Sequence, residues 1–232
     1  MKLAIATNNA GKVLEFSRIL SPLGIEAHSM KELGVSLDVE ETGKTFEENA
    51  YLKAKALFDR LHTPVVADDS GIEVDALQGR PGVYTARYAG EHATDDENID
   101  KLLADLKDVP SGQRTARFVC ALCVILNEQE HFFLRGTCEG EIGFARAGEG
   151  GFGYDPVFYV GDQSFAQLDA AEKDAISHRG KDVYKRQLLC TRIQKGIAEQ
   201  RTAGVSWGLR ALHCCVRVFV QAFFTHAGGR TY

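Results

Sequence analysis

Segments with helical and with strand periodicity alternate along the first 181 residues of this chain, and that alternation restricts it to an α/β architecture in which helices cover a sheet. Lys2 to Ala6 reads as a buried first strand, followed by a polar loop and a helix from about Gly11 to Ser21. Thr45-Phe-Glu-Glu48 and Thr94-Asp-Asp-Glu97 are two capping boxes, each opening an amphipathic helix. The first carries Ala50, Ala54, Leu57, Phe58 and Leu61 on one face and should end near His62, before Pro64. The second carries Ile99, Leu102, Leu103 and Leu106 and stops before Pro110. Between them, Val65-Val-Ala67 reads as a short buried strand that delivers Asp68-Asp-Ser-Gly71 as a loop at its end. Residues 114–126 and 131–144 flank the polar turn Asn127-Glu-Gln-Glu130, a long antiparallel hairpin, so the sheet is expected to be mixed. A last helix is expected from about Asp169 to Ile176.

Charge divides the chain. Residues 1–181 carry a net charge of −11 and residues 182–232 a net charge of +6, within an overall −5 over 232 residues. The acidic part opposes binding to a polyanion, so no nucleic-acid partner is expected. The N-terminal apolar run is too short for a signal peptide. The most apolar stretch, 205–224, contains Arg210, His213 and Arg217, which are costly at a bilayer centre, so no membrane span is expected. Cys120 and Cys123 have Cys-x-x-Cys spacing but sit in a strand, where positions three apart face opposite ways. They are read as small core residues in a reducing, cytoplasmic compartment.

Three groups of residues could carry chemistry. Thr7-Asn8-Asn9-Ala10-Gly11-Lys12 follows a strand and opens a helix, placing backbone N–H groups, amides and an ammonium where an anion binds; it lacks the spacing of a Walker A loop. Glu40-Glu-Thr-Gly43 and Asp68-Asp-Ser-Gly71 each set paired carboxylates beside a glycine. Such pairs repel unless a positive group stands between them, and a hard cation such as Mg²⁺ suits oxygen ligands shared with phosphates. An Asx turn and a solvated acidic run are the structural alternatives for these two segments. Residues 147–156 contain four glycines within 148–153 and read as a binding loop, on which Phe152 and Tyr154 either stack on a base or anchor the loop in the core. Lys173, His178 and Arg179 bring three donors together on the last helix and at its C-terminal end.

In order, Thr7-x-Asn9-x-x-Lys12, Glu40-Glu-Thr-Gly43 with Thr45-Phe-Glu-Glu-Asn-Ala50, Asp68-Asp-Ser-Gly71, residues 81–88, Gly150-Gly-Phe-Gly-Tyr-Asp-Pro156 and Ser177-His-Arg-Gly180 resemble the motifs of the bacterial dITP/XTP pyrophosphatases, the inosine triphosphate pyrophosphatase family. The resemblance implies an α/β fold with a long mixed sheet and helices forming two lobes around a central cleft, and usually a homodimer. It implies Mg²⁺-dependent hydrolysis of dITP, ITP, XTP and dXTP to the monophosphate and pyrophosphate. It also implies roles: Thr7, Asn8, Asn9, Ala10, Gly11 and Lys12 hold the phosphates; Asp69 is the general base; Glu40 and Asp69 face Mg²⁺, with Glu41 the neighbour to test next. Ser70, Phe152, Gly153, Tyr154, Asp155, Lys173, His178 and Arg179 contact the substrate and its base. The alternatives are a Mg²⁺-dependent phosphatase on another phosphoester and a non-catalytic nucleotide-binding module.

The resemblance covers residues 1–181, read as the pyrophosphatase domain. Residues 182–232 depart from it, holding the only Trp, half of the Cys and none of the five Pro. They are read as an atypical basic tail of non-native sequence, the alternative being a native basic extension with an amphipathic segment at 205–224.

Overall fold

The computed structural model describes residues 2–169 together with 172 and 173. The expected helix over 169–176 falls mostly outside the described residues, as do His178, Arg179 and the tail 182–232.

Seven strands form one mixed sheet in the order β2-β1-β3-β4-β5-β6-β7. Its centre is β1 (Lys2–Ile5), β3 (Val65–Val74), β4 (Thr115–Ile125) and β5 (His131–Ile142). β2 (Glu26–Ser29) runs parallel to β1 on one edge; β6 (Phe158–Val160) and β7 (Gln163–Ser164) close the other. These three short strands have too few residues to show a period, and sequence patterning does not find them. β1 and β3 are parallel; β3, β4 and β5 are antiparallel.

The helices follow their caps. α1 (Ala10–Leu20) is capped by Asn9, whose Oδ1 accepts the Lys12 N–H at 3.2 Å. α2 (Phe46–Leu61) is capped by Thr45 and ends at His62, which sits at φ 50° and donates its N–H to the Phe58 carbonyl at 2.7 Å. Only half of its expected capping box forms, because the Glu48 carboxylate accepts from the Lys44 N–H at 2.6 Å instead of from Thr45. At α3 (Asp95–Asp105) both halves of the box are present.

One expectation is corrected. Asp68-Asp-Ser-Gly71 is not a loop at the end of a three-residue strand: it lies in the middle of the ten-residue β3, with Asp69 opposite Ala121 and Gly71 opposite Val119. β4 continues the ladder on one side of β3, whereas β1 pairs only with Val65 and Val66 and then stops. Two aspartates are tolerated there because the open side faces a cleft and each finds a cation, as described below. Gly71 is required by close approach: a Cβ there would lie 2.6 Å from the Gly82 carbonyl and against the Thr85 hydroxyl, in the 3₁₀ segment Gly82–Arg87.

Two apolar cores flank the cleft. One packs Ala50, Ala54, Leu57 and Phe58 of α2 on Val65, Ala67 and Cys123. The other packs Ile99 and Leu102 of α3 with Ile72, Val74, Phe158 and Phe165. Arg114, buried, donates to the carbonyls of Leu106, Val109, Ile142 and Gly143 and ties the end of α3 to the hairpin. Cys120 and Cys123 are fully buried, and burial pushes the Cys123 thiol up to about 12.

Candidate active site

Where β1 ends and β3 goes on, a cavity of about 330 Å³ opens, at the carboxyl end of a parallel strand where α/β sheets place their ligands. Thr7, Asn8, Asn9 and Lys12 line it from one side; Phe152, Gly153, Tyr154, Asp155 and Lys173 from another. Ser70 and Gly71 of β3 also face it, as do Glu41, Lys53 and Thr85.

The 7–12 loop is internally braced. The Asn9 N–H donates to Thr7 Oγ1 at 3.1 Å, and the Asn8 side chain donates to the Leu37 carbonyl at 3.3 Å. A Cβ on Gly11 would stand 3.2 Å from the Phe152 ring, so a glycine at the start of α1 lets the Gly-rich loop close onto the helix. Lys173 locks the same junction: its Nζ lies 2.6 Å from Asp155 Oδ2, 3.7 Å from Glu15 Oε1 and 4.8 Å from the Phe152 ring centre. Asp155 Oδ2 also accepts the Phe152 N–H at 2.9 Å, and burial raises its carboxyl above the ordinary value against the pull of Lys173. The two loop aromatics differ. Phe152 is half-buried on the cavity wall, whereas Tyr154 is buried in the core and donates its hydroxyl to the Thr85 carbonyl at 2.9 Å.

Successive side chains of a strand point to opposite faces, so Asp68 and Asp69 do not form a carboxylate pair with each other. Lys12 Nζ lies 3.1 Å from Asp68 Oδ2. Lys53 Nζ lies 2.9 Å from Asp69 Oδ1 and 2.8 Å from Glu41 Oε1, bridging two carboxylates from different parts of the chain. Asn49, fully buried one turn before Lys53 on α2, donates to Asp69 Oδ2 at 3.2 Å and accepts the Gly43 N–H at 2.8 Å. Its amide thereby fixes the distance between the 40–43 loop and β3. Arg87 reaches Glu41 Oε2 at 3.8 Å. Burial pushes the Asp69 carboxyl above its ordinary value, Lys53 opposes the rise and Glu41 adds to it. For Lys53, burial works against the charge, but Asp69, Glu41 and Asp68 outweigh it and hold the ammonium above its usual range.

Several site residues expected from sequence thus meet around one cavity. Glu40 is exposed and outside the wall, while its neighbour Glu41 is in it. Ala10, Gly11 and Asp69 do not line it, although Asp69 is in contact with Lys53, which does. His178 and Arg179 lie outside the described residues. Sequence reading missed Asn49, Lys53 and Arg87. The available signal was an amide at Asn49 within the apolar stripe of α2 and a lysine four residues on, one turn along the same face.

Glu41 and Asp69 supply hard oxygen ligands, the type Mg²⁺ takes when phosphates complete its shell. The described residues contain no group of three or more His, Cys, Asp or Glu placed to hold a metal without such help. The donor set therefore fits a divalent ion that arrives with a phosphate ligand.

The profile of the Ham1 family matches residues 3–187. A protein of Geobacillus kaustophilus strain HTA426 named dITP/XTP pyrophosphatase is 52% identical over 186 residues, covering 79% of this chain and 91% of its own length. A Bacillus subtilis strain 168 protein of the same name is 51% identical over 177 residues, covering 75% and 89%. Among solved structures, the Staphylococcus aureus Ham1 protein superposes with a TM-score of 0.72 at 44% identity, covering 84% of this chain and 99% of that one. The nucleoside-triphosphatase, dITP/XTP pyrophosphatase of Mycobacterium abscessus superposes with a TM-score of 0.66 at 41% identity, covering 80% and 98%.

Proposed function

The chain belongs to the Ham1 family, and from that premise we propose that it hydrolyses the non-canonical purine nucleoside triphosphates dITP, ITP, XTP and dXTP to the monophosphate and pyrophosphate. The observation that carries this reading is the single cleft in which Lys12, Lys53 and Lys173 stand beside buried carboxylates and a half-buried aromatic ring. Phosphates need the cations, an attacking water needs a carboxylate, and a purine needs a flat apolar surface.

In this reading Thr7 to Lys12 bind the phosphates at the start of α1. Asp69 takes the proton of the attacking water as oxygen bonds to the α-phosphorus and the bond to the departing pyrophosphate breaks. Asn49 holds it in place. Ser70 contacts the substrate, and Lys12 and Lys173 offset charge developing on the phosphate oxygens. Asp69 with Glu40 or Glu41 would hold Mg²⁺, which would supply charge neutralisation for the triphosphate; the contact of Glu41 with Lys53 favours Glu41. Phe152 to Asp155, Lys173, His178 and Arg179 contact the substrate and its base. Donors aimed at a 6-keto oxygen are left unpaired by the amino group of adenine, at about 1–3 kcal/mol each.

The activity is assigned to residues 1–181, acting as a cytoplasmic homodimer, with 182–232 outside the catalytic unit. The deciding experiment supplies ITP, XTP, GTP and ATP with Mg²⁺ and measures pyrophosphate. Release from ITP and XTP well above ATP is expected. Equal rates on ATP and ITP, or orthophosphate as the product, overturn the reading; sedimentation equilibrium tests the dimer.

A further inference from the structure

We propose that Lys53 is a placeholder for the divalent cation: in the metal-free protein its ammonium stands between Glu41 and Asp69, and it gives up both oxygens when a metal arrives, turning instead to the triphosphate. The inference rests on the pyrophosphatase reading for the identity of the incoming ligands, and on the cleft's own geometry for the rest.

Three observations support it. Lys53 is the cleft lysine with two carboxylates at hydrogen-bond distance, 2.8 Å from Glu41 and 2.9 Å from Asp69, and these are the oxygens suited to a hard cation. Lys12 and Lys173 each have one such partner, Asp68 at 3.1 Å and Asp155 at 2.6 Å. Second, Lys53 lines the cavity and Asp69, whose side chain is 9% exposed, does not, so the ammonium stands between the cavity and most of the carboxylate that a metal would need. Third, the carboxylates are held independently of Lys53. Asn49 fixes the other oxygen of Asp69 and braces the 40–43 loop through Gly43, and Arg87 attends Glu41. When the lysine leaves, its ligands stay.

The physics requires the exchange. Magnesium sits about 2.1 Å from its oxygens, and a second full positive charge on the same two carboxylates in a partly buried site is strongly repelled. The four-carbon stem of lysine lets the ammonium swing while its backbone remains fixed in α2. A vacated ammonium is stable only with a new anion, which the triphosphate supplies. Metal and nucleotide then bind cooperatively, because each removes a cost that the other would face alone.

Direct binding of Mn²⁺ to the nucleotide-free protein, followed by electron paramagnetic resonance or calorimetry, tests this without reference to turnover. Lys53→Met is expected to bind Mn²⁺ at least tenfold more tightly than the wild type. It is also expected to melt lower than the wild type in EDTA and to gain more from added Mg²⁺. A non-hydrolysable inosine triphosphate analogue is expected to tighten Mn²⁺ binding by the wild type but to do so several-fold less for Lys53→Met. Lys53→Gln, whose amide still donates to a carboxylate, provides the same comparison if the methionine variant does not fold. Equal or weaker Mn²⁺ binding by the folded variant overturns the proposal. Failure of the wild type to release pyrophosphate from ITP overturns the pyrophosphatase reading alone, leaving the competition between lysine and metal measurable.

Discussion

Asp68 and Asp69 are adjacent in sequence, yet they serve opposite faces of one strand: the first holds Lys12 at 3.1 Å, the second Lys53 at 2.9 Å. Each is buried and neutralised by a lysine from a different helix, α1 or α2. One dipeptide therefore anchors the phosphate-binding side of the cleft and the carboxylate side.

The two aspartates should respond differently to amide substitution. Asp69→Asn removes the base and is expected to lower kcat by about 10²–10⁴-fold in a pyrophosphate assay, with far-ultraviolet circular dichroism unchanged. Asp68→Asn removes the anchor of Lys12 and is expected to raise KM more than it lowers kcat. An Asp69→Asn enzyme retaining near wild-type kcat removes Asp69 from its assigned role.

Burial makes Asp69 bind its proton more readily in the fold than in the unfolded chain, where the ordinary value is 3.8. The folded state therefore carries more of this proton, and the contribution of Asp69 to stability improves as pH falls through the raised value. Carboxyl ¹³C resonances of the metal-free protein should place its midpoint above 3.8. A midpoint at or below that value contradicts the assignment.

Gly71→Ala drives a methyl group into the Gly82 carbonyl at 2.6 Å and the Thr85 hydroxyl. Because one of these is backbone, relief requires the 82–87 segment to move, and overpacking of this kind costs about 1–3 kcal/mol. Urea denaturation should show a lower midpoint with an unchanged slope.

Arg114→Met is expected to destabilise the protein by about 3 kcal/mol, since four carbonyls lose their shared donor in a buried setting. Thermal melting measures the loss. A change of a few tenths of a kcal/mol would show that water reaches those carbonyls.

Much of the fold was legible. Capping residues placed the starts of α2 and α3, and the polar turn at 127–130 placed the β4–β5 hairpin, because local hydrogen bonding decides both. The strands β2, β6 and β7 were not legible, because they are short strands of two to four residues near the ends of the sheet, whose pairing is set by neighbours. In the site, the 7–12 loop, the acidic segments and the Gly-rich loop carry their chemistry in consecutive residues, and their meeting at one cavity was expected. Asn49 and Lys53 look like ordinary helix residues until α2 packs against β3.

By itself the sequence determined the helices that carry caps, the β4–β5 hairpin and which side chains can bind phosphate, metal and purine, since capping, periodicity and side-chain chemistry are local properties. Only the tertiary structure decided that Asp68-Asp-Ser-Gly71 continues a strand, that its two carboxylates part to opposite faces, and that Lys53 rather than a second aspartate stands beside Asp69. Those outcomes depend on where β1 stops and β4 continues, and on which helix covers which face, relationships between residues far apart in the chain.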